Sequence, residues 1–324
     1  MSTPLDAAAL GTLAASSPPS DAFGPDSEHR LLAFALKDGD PRLADWLRRL
    51  PCPVIGIGAG PLAEACDAVL EDASQLAPIE RNVAQAPLAA MVLVQLLRAT
   101  ADLTPEHALI LESFAYSTVQ KGPELARWLR EIGGAAPPPL QSNGPPLMMS
   151  REGDTLRLVF NRPERRNEID VAMRDALCEA FDLASLDLEI ARIELTGQED
   201  WFSTGGDVGE FGQVADPATA HWIRGHRLPA RRLVGLGPKL TVRIGGAAVG
   251  AGVEIAAFAG TVIAGANAWF QLPELKYGLI PGAGGTVSLP RRIGRQRTAY
   301  MALSMRRVSA TTALAWGLID RIES

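Results

Sequence analysis

The chain has 324 residues, of which 47% are hydrophobic, enough for two domains and a sizeable core; global disorder is excluded. A net charge of −6 argues against general nucleic-acid binding, while leaving room for a local basic patch facing an anionic ligand. The three cysteines, Cys52, Cys66 and Cys178, form no CxxC pair and cannot all pair internally, which fits a reducing cytoplasm better than secretion.

Residues 1–28 are rich in Ala, Ser and Pro, lack a basic leader region and carry Asp6 inside their short apolar stretch. They read as a flexible tail and not as a signal peptide. Residues 29–134 read as an ordered, mostly helical domain. Within it, CPVIGIGAG at 52–60 holds a GxGxG pattern, but without a convincing strand–helix–strand setting the dinucleotide-binding reading is set aside. Residues 135–146, AAPPPLQSNGPP, read as a linker held extended by its prolines.

Residues 147–324 form a second ordered region. TLRLVF alternates Leu156, Leu158 and Phe160 with polar or smaller residues and predicts a strand. A helix over 170–183 gathers Ala172, Met173, Ala176, Leu177, Ala180 and Phe181 on one face. Strands are expected at ARIELTG, KLTVRIGG and GTVIAG. The run 244–266 is as long as a membrane span, but Glu254 near its middle and its recurrent glycines point to a buried loop, helix and strand instead. Strands alternating with helices predict an α/β architecture with mostly parallel pairing.

Two glycine-rich loops carry the chemistry, WFSTGGDVGEF at 201–211 and GGAAVGAGVE at 245–254. Each follows a predicted strand and opens a predicted helix, where backbone N–H groups are unpaired. Two such amides converging on one point would polarise a carbonyl oxygen and stabilise an enolate. Either loop alone is also compatible with a tight turn. Glu254 lies in the apolar helix GVEIAAFA, and Glu274 lies among apolar neighbours in FQLPELKYGLIPGAGG. Burial raises a carboxyl pKa towards neutrality, which suits general acid–base work. Ordinary capping or salt-bridged glutamates are the alternative.

NRPERRNEID, FSTGGDVGEF, the glycine-rich run ending in Glu254, and LPELKYGLIPGAGGTVSLPRRIG resemble, in order and spacing, the enoyl-CoA hydratase/isomerase (crotonase) family over about 170 residues. The resemblance implies a crotonase-type (ClpP-like) spiral of ββα repeats. It places the oxyanion-hole amides on Gly206 and Ala251, and the two catalytic glutamates of true hydratases on Glu254 and Glu274. It further implies an acyl-CoA substrate, with coenzyme A part of that substrate, no other cofactor, no metal, and a homotrimer or hexamer. Arg162, Arg165 and Arg166 become candidates for coenzyme A contacts. Ser203, Gly205, Asp207, Trp269 and Phe270 become candidates for the substrate site, with Asp207 expected to hold its loop. Hydration of an enoyl-CoA is the leading reading. Isomerisation, thioester hydrolysis, cofactor-independent dioxygenation of an aryl-acetyl-CoA, or a non-catalytic acyl-CoA-binding role are the alternatives. The intact glutamate pair argues against the last two.

The N-terminal half carries a fainter resemblance to the same family. LADWLRRLPCPVIGIGAGPLAEACDAVLED resembles a shortened copy of the segment holding the second oxyanion loop, without its glutamate. PIERNVAQAPLAAMVLVQLLRATADLTPEHALILESFAYSTVQKGPELARWLRE resembles the helical C-terminal region of crotonases. Helices over 74–131 are therefore expected to pack on the catalytic region, from the same chain or a neighbour. An unrelated helical domain is the other reading.

Overall fold

A computed structural model of the chain describes residues 3–132, 144–198 and 201–323. The segment read as flexible begins instead with a helix, α1 (Ala7–Ala15). Asp6 caps it by accepting the Ala9 N–H, and Leu10 is fully buried. Leu10 and Phe23 docked in the core, with Leu5 and Leu13 packed beside them and one cap, order a stretch whose composition is disorder-like.

Three short strands follow, β1 (Leu32–Ala35), β2 (Val54–Ile57) and β3 (Ala68–Leu70), with α2 (Ala44–Arg49) between the first two. They form a parallel sheet in the order β1-β2-β3. The GxGxG segment leaves β2 into a turn and a short 3-10 helix (Ala63–Ala65), so no α-helix N-terminus stands behind it to receive a pyrophosphate. Four helices come next, α3 (Leu76–Gln85), α4 (Pro87–Ala99), α5 (Pro105–Val119) and α6 (Pro123–Glu131). The linker expected at 135–146 lies outside the described residues as far as 143. Beyond it, the carbonyls of Gly144 and Pro145 accept from Arg162.

The second half opens with the hairpin β4 (Leu147–Glu152) and β5 (Thr155–Phe160), then α7 (Val171–Leu186), whose buried Met173, Leu177, Ala180, Phe181 and Ala184 recur at helical spacing. Next come β6 (Arg192–Thr196), β7 (Trp201–Ser203), α8 (Pro217–Arg227), α9 (Pro229–Leu236), β8 (Leu240–Ile244), β9 (Ala247–Val249) and α10 (Ala251–Ala256). The chain then runs through β10 (Thr261–Gly265), β11 (Trp269–Gln271), α11 (Gly285–Ile293), α12 (Arg295–Ser304), β12 (Val308–Ser309), α13 (Ala310–Trp316) and β13 (Arg321–Glu323).

The strands sort by a simple rule. In each of the pairs β6–β7, β8–β9 and β10–β11, the first strand joins a six-stranded sheet, β13-β10-β8-β6-β5-β4, and the second joins a four-stranded sheet, β12-β11-β9-β7. Pairing is parallel except at β4–β5 and β11–β12. This is the expected spiral of strand–strand–helix units. It brings successive loops after β7, β9 and β11 to one side.

The two halves share one hydrophobic core. Leu76, Ile79, Leu93 and Leu97 of the N-terminal helices are buried in the same cluster as Leu275, Leu289, Met301 and Leu303. Polar contacts fix the docking. Asn82 donates to the carbonyls of Leu303 and Ser304 at 2.9 Å each, capping the end of α12. Asp67, 1% exposed, pairs with both Arg98 and Arg295. The helices expected over 74–131 therefore pack on the second half within one chain. No single helix among the described residues is long and apolar enough to cross a membrane.

Candidate active site

Beyond Ser203 at the end of β7, the chain turns sharply through Gly205, whose φ is +90°. Ser203 Oγ accepts the Gly205 N–H at 3.0 Å. Ile169 brackets the turn, donating to the Gly205 carbonyl at 2.8 Å and accepting from Asp207 N–H at 3.3 Å. Asp207 accepts from Gly209 N–H at 2.7 Å and from Arg165 at 2.7 Å, which ties the loop to the first motif. The second loop leads from β9 into α10, where Ala251 is the first helical residue and its N–H has no intrahelical acceptor. The two loops pack backbone on backbone: a β-carbon on Gly205 would sit 3.3 Å from the Ala251 nitrogen. Among the described residues, neither the Gly206 nor the Ala251 N–H donates to a protein acceptor.

Both glycine-rich loops open onto one pocket of about 150 Å³, which also receives Glu254 and Glu274. Its apolar wall includes Ile169, Phe211, Leu279 and Ile280. Glu254 is 2% exposed, and its Oε2 accepts the N–H groups of Ala283 and Gly285 at 2.7 Å each. Burial, followed by the negative charges of Glu274 and Glu112, pushes its carboxyl well above the ordinary range, and the two amides pull it partly back. Glu274 begins a 3-10 turn (Glu274–Tyr277), and its Oε2 is buried without a hydrogen-bond partner among the described residues. Burial raises its pKa to about 8. Two neighbouring buried carboxyls do not both ionise at neutral pH. The two amides stabilise negative charge on Glu254, whereas Glu274 Oε2 has no such donor among the described residues.

Three further residues complete the pocket or its support. Tyr116 of α5 lines it, its phenol pushed to about 12 by burial and therefore neutral. Arg224 of α8 lies over the Tyr116 ring at 4.3 Å and pairs with the fully buried Glu112 at 3.4 Å. Glu112 was detectable in principle, because it falls on the same helical face as Ala108 and Leu109, where a carboxylate is costly without a partner. Tyr116 and Arg224 carry no local signal of their place.

The other expected site residues are distributed differently. Arg162, 8% exposed, donates to the carbonyls of Gly144, Pro145 and Asn161, and so braces the hairpin instead of meeting a phosphate. Arg165 is engaged by Glu168, Asp170 and Asp207. Arg166 alone of the three is exposed, lying 4.8 Å over the Trp201 ring. Ser203 is fully buried beneath Gly252 and supports the first loop, with Gly205, from behind. Phe270 is fully buried in the core, while Trp269, its neighbour on β11, faces the opposite side against Trp201 and Arg307. Neither lines the pocket, which is walled mainly by the loops that follow β7, β9 and β11 and not by residues within the strands.

The enoyl-CoA hydratase/isomerase family model matches residues 151–324. The chain is similar to the 2,3-dehydroadipyl-CoA hydratase of Escherichia coli, 35% identical over 176 residues that span 54% of this chain and 68% of that protein. It is also similar to a carnitinyl-CoA dehydratase of Salmonella paratyphi A, 32% identical over 55% of this chain and 68% of the relative. Among solved structures, DspI of Pseudomonas aeruginosa superposes with a TM-score of 0.51 at 29% identity, covering 58% of this chain and 77% of that one.

Proposed function

The chain belongs to the enoyl-CoA hydratase/isomerase family, and on that footing we propose that it adds water across the α,β double bond of an enoyl-CoA thioester, or removes it in reverse. One observation carries the reading. Two buried carboxyls, Glu254 and Glu274, face a single pocket beside two amides, Gly206 and Ala251, that no acceptor among the described residues occupies.

In this scheme the thioester oxygen accepts from the Gly206 and Ala251 N–H groups, which stabilise the enolate as it forms. The Glu254 carboxylate takes a proton from water, and the resulting hydroxide adds to the β-carbon. Glu274, protonated at neutral pH, delivers its proton to the α-carbon. Return of the proton from Glu254 to Glu274 restores the starting state. Nothing in the scheme calls for a metal or a separate cofactor. Arg166, exposed over Trp201, is left as the arginine of the first motif that could meet coenzyme A phosphates.

The names of the two relatives, a hydratase and a dehydratase of CoA thioesters, support water addition or loss over the other reactions of the family. The test is direct. Purified protein is mixed with crotonyl-CoA, longer enoyl-CoAs and aryl-acetyl-CoAs, and loss of the enoyl absorbance and oxygen uptake are followed in parallel. Hydration of at least one enoyl-CoA is expected. Oxygen uptake with no hydration would transfer the site to the dioxygenase reading.

A further inference from the structure

Four consecutive amides at the start of α11 are shared alternately between two carboxylates. Ala283 and Gly285 donate to Glu254 Oε2 at 2.7 Å each. Gly284 donates to Glu112 Oε1 at 2.9 Å, and Thr286 N–H to Glu112 Oε2 at 3.1 Å, with the Thr286 hydroxyl adding a bond of 2.7 Å to the same oxygen. Glu254 belongs to the catalytic region. Glu112 comes from α5, 172 residues from Gly284 along the chain.

We propose that Glu112 is a positioning residue for the reaction at Glu254. It holds residues 283–286 in the conformation that aims the Ala283 and Gly285 amides at Glu254 Oε2, leaving Oε1 for the water. Successive amides in this loop point to opposite sides, so one carboxylate can restrain only half of them. With Glu112 gone, the Gly284 and Thr286 amides lose their buried acceptor and the intervening peptide planes are free to reorient.

Arg224 of α8 and Tyr116 of α5 reinforce the grip. Arg224, which balances the charge of Glu112, also donates to the carbonyl of Gly282. Tyr116, one helical turn beyond Glu112, lies so close to Gly282 that a β-carbon there would overlap its ring. The loop from 282 to 286 is thus bound in part from the N-terminal half, through Glu112 and Tyr116, outside the region that matches the family. A fully buried carboxylate on a helix is unexplained by packing alone, and this clamp accounts for it.

The kinetic consequence rests on the hydratase reading, whereas the structural consequence does not, so both are measured on the full chain. Glu112→Gln keeps the shape of the side chain but offers one acceptor oxygen where two are used. Thr286→Val removes only the hydroxyl bond and preserves the charge of Glu112. The readouts are residue-resolved amide hydrogen exchange, kcat on the best enoyl-CoA, and Kd for the non-reacting butyryl-CoA.

In Glu112→Gln, exchange at Ala283 and Gly285, whose amides donate to Glu254 and not to Glu112, should accelerate by about 10-fold or more. The same variant should lose about 10- to 100-fold in kcat, with Kd for butyryl-CoA kept within about threefold. Thr286→Val should move both readouts in the same direction by less, and it decides the matter if Glu112→Gln does not fold. Acceleration confined to Gly284 and Thr286, or an unchanged kcat beside loosened Ala283 and Gly285 amides, would overturn the proposal. A wild type that hydrates no enoyl-CoA would sink the functional reading, and the exchange at Ala283 and Gly285 would still judge the clamp.

Discussion

Replacing Gly285 by alanine perturbs Glu254 without touching its chemistry. A β-carbon at Gly285 would lie 2.5 Å from Glu254 Cγ, 2.6 Å from Oε2 and 2.8 Å from Cδ. Comfortable carbon contacts begin near ~3.5 Å, so the carboxylate must retreat by roughly 1 Å. A shift of that size at a reacting group costs about 100-fold in rate, or about 2.7 kcal/mol of barrier. The fold pays less attention to the same change: overpacking costs about 1–3 kcal/mol, while alanine in a helix recovers about 1 kcal/mol relative to glycine. Gly285→Ala should therefore keep a Tm within several degrees of wild type, bind butyryl-CoA normally, and lose about 100-fold in kcat in the enoyl absorbance assay. Full turnover in a folded Gly285→Ala protein would refute the placement of Glu254 at the reaction.

Two other outcomes follow from particular contacts. With its pKa raised to about 8, Glu274 carries its proton at neutral pH, so hydration should decline as pH rises through about 8, and Glu274→Gln should lose that limb of the pH–rate profile. The folded state holds this proton between the ordinary 4.5 and about 8 while the unfolded chain does not, so the contribution of Glu274 to stability should fall as pH rises across that window and level off above it; urea titrations at several pH values check the sign by comparing wild type with Glu274→Gln. Asn82→Ala should destabilise the protein by about 2 kcal/mol, because the buried carbonyls of Leu303 and Ser304 lose their donor; a Tm equal to wild type would contradict that role.

Much of the catalytic half was legible in the residues. The 3.6-residue spacing of Met173, Leu177 and Phe181 marks α7, and the alternation of Leu240, Val242 and Ile244 marks β8. Glu254 announces itself as a carboxylate in an apolar run. The N-terminal sheet was harder to see, because β1 to β3 are only three or four residues long and mostly buried, which removes the alternation that identifies a strand. Arg162 and Arg165 of the first motif were harder to place for a related reason. Their charge is visible in the sequence, but the acceptors that engage Arg162 and Arg165 depend on how the chain folds back over them. Glu112 and Tyr116 reach the site only through the docking of α5, so no local pattern in either half reveals the partnership.

The most direct test of the central claim, that two carboxyls at one pocket exchange protons with substrate and water, is the turnover of Glu254→Gln and Glu274→Gln on the enoyl-CoA the wild type hydrates fastest. Each glutamine keeps the shape of the side chain and removes its ability to give or take the proton. Each variant should lose at least ~100-fold in kcat while binding butyryl-CoA with near wild-type Kd. Near wild-type turnover in both variants would contradict the account.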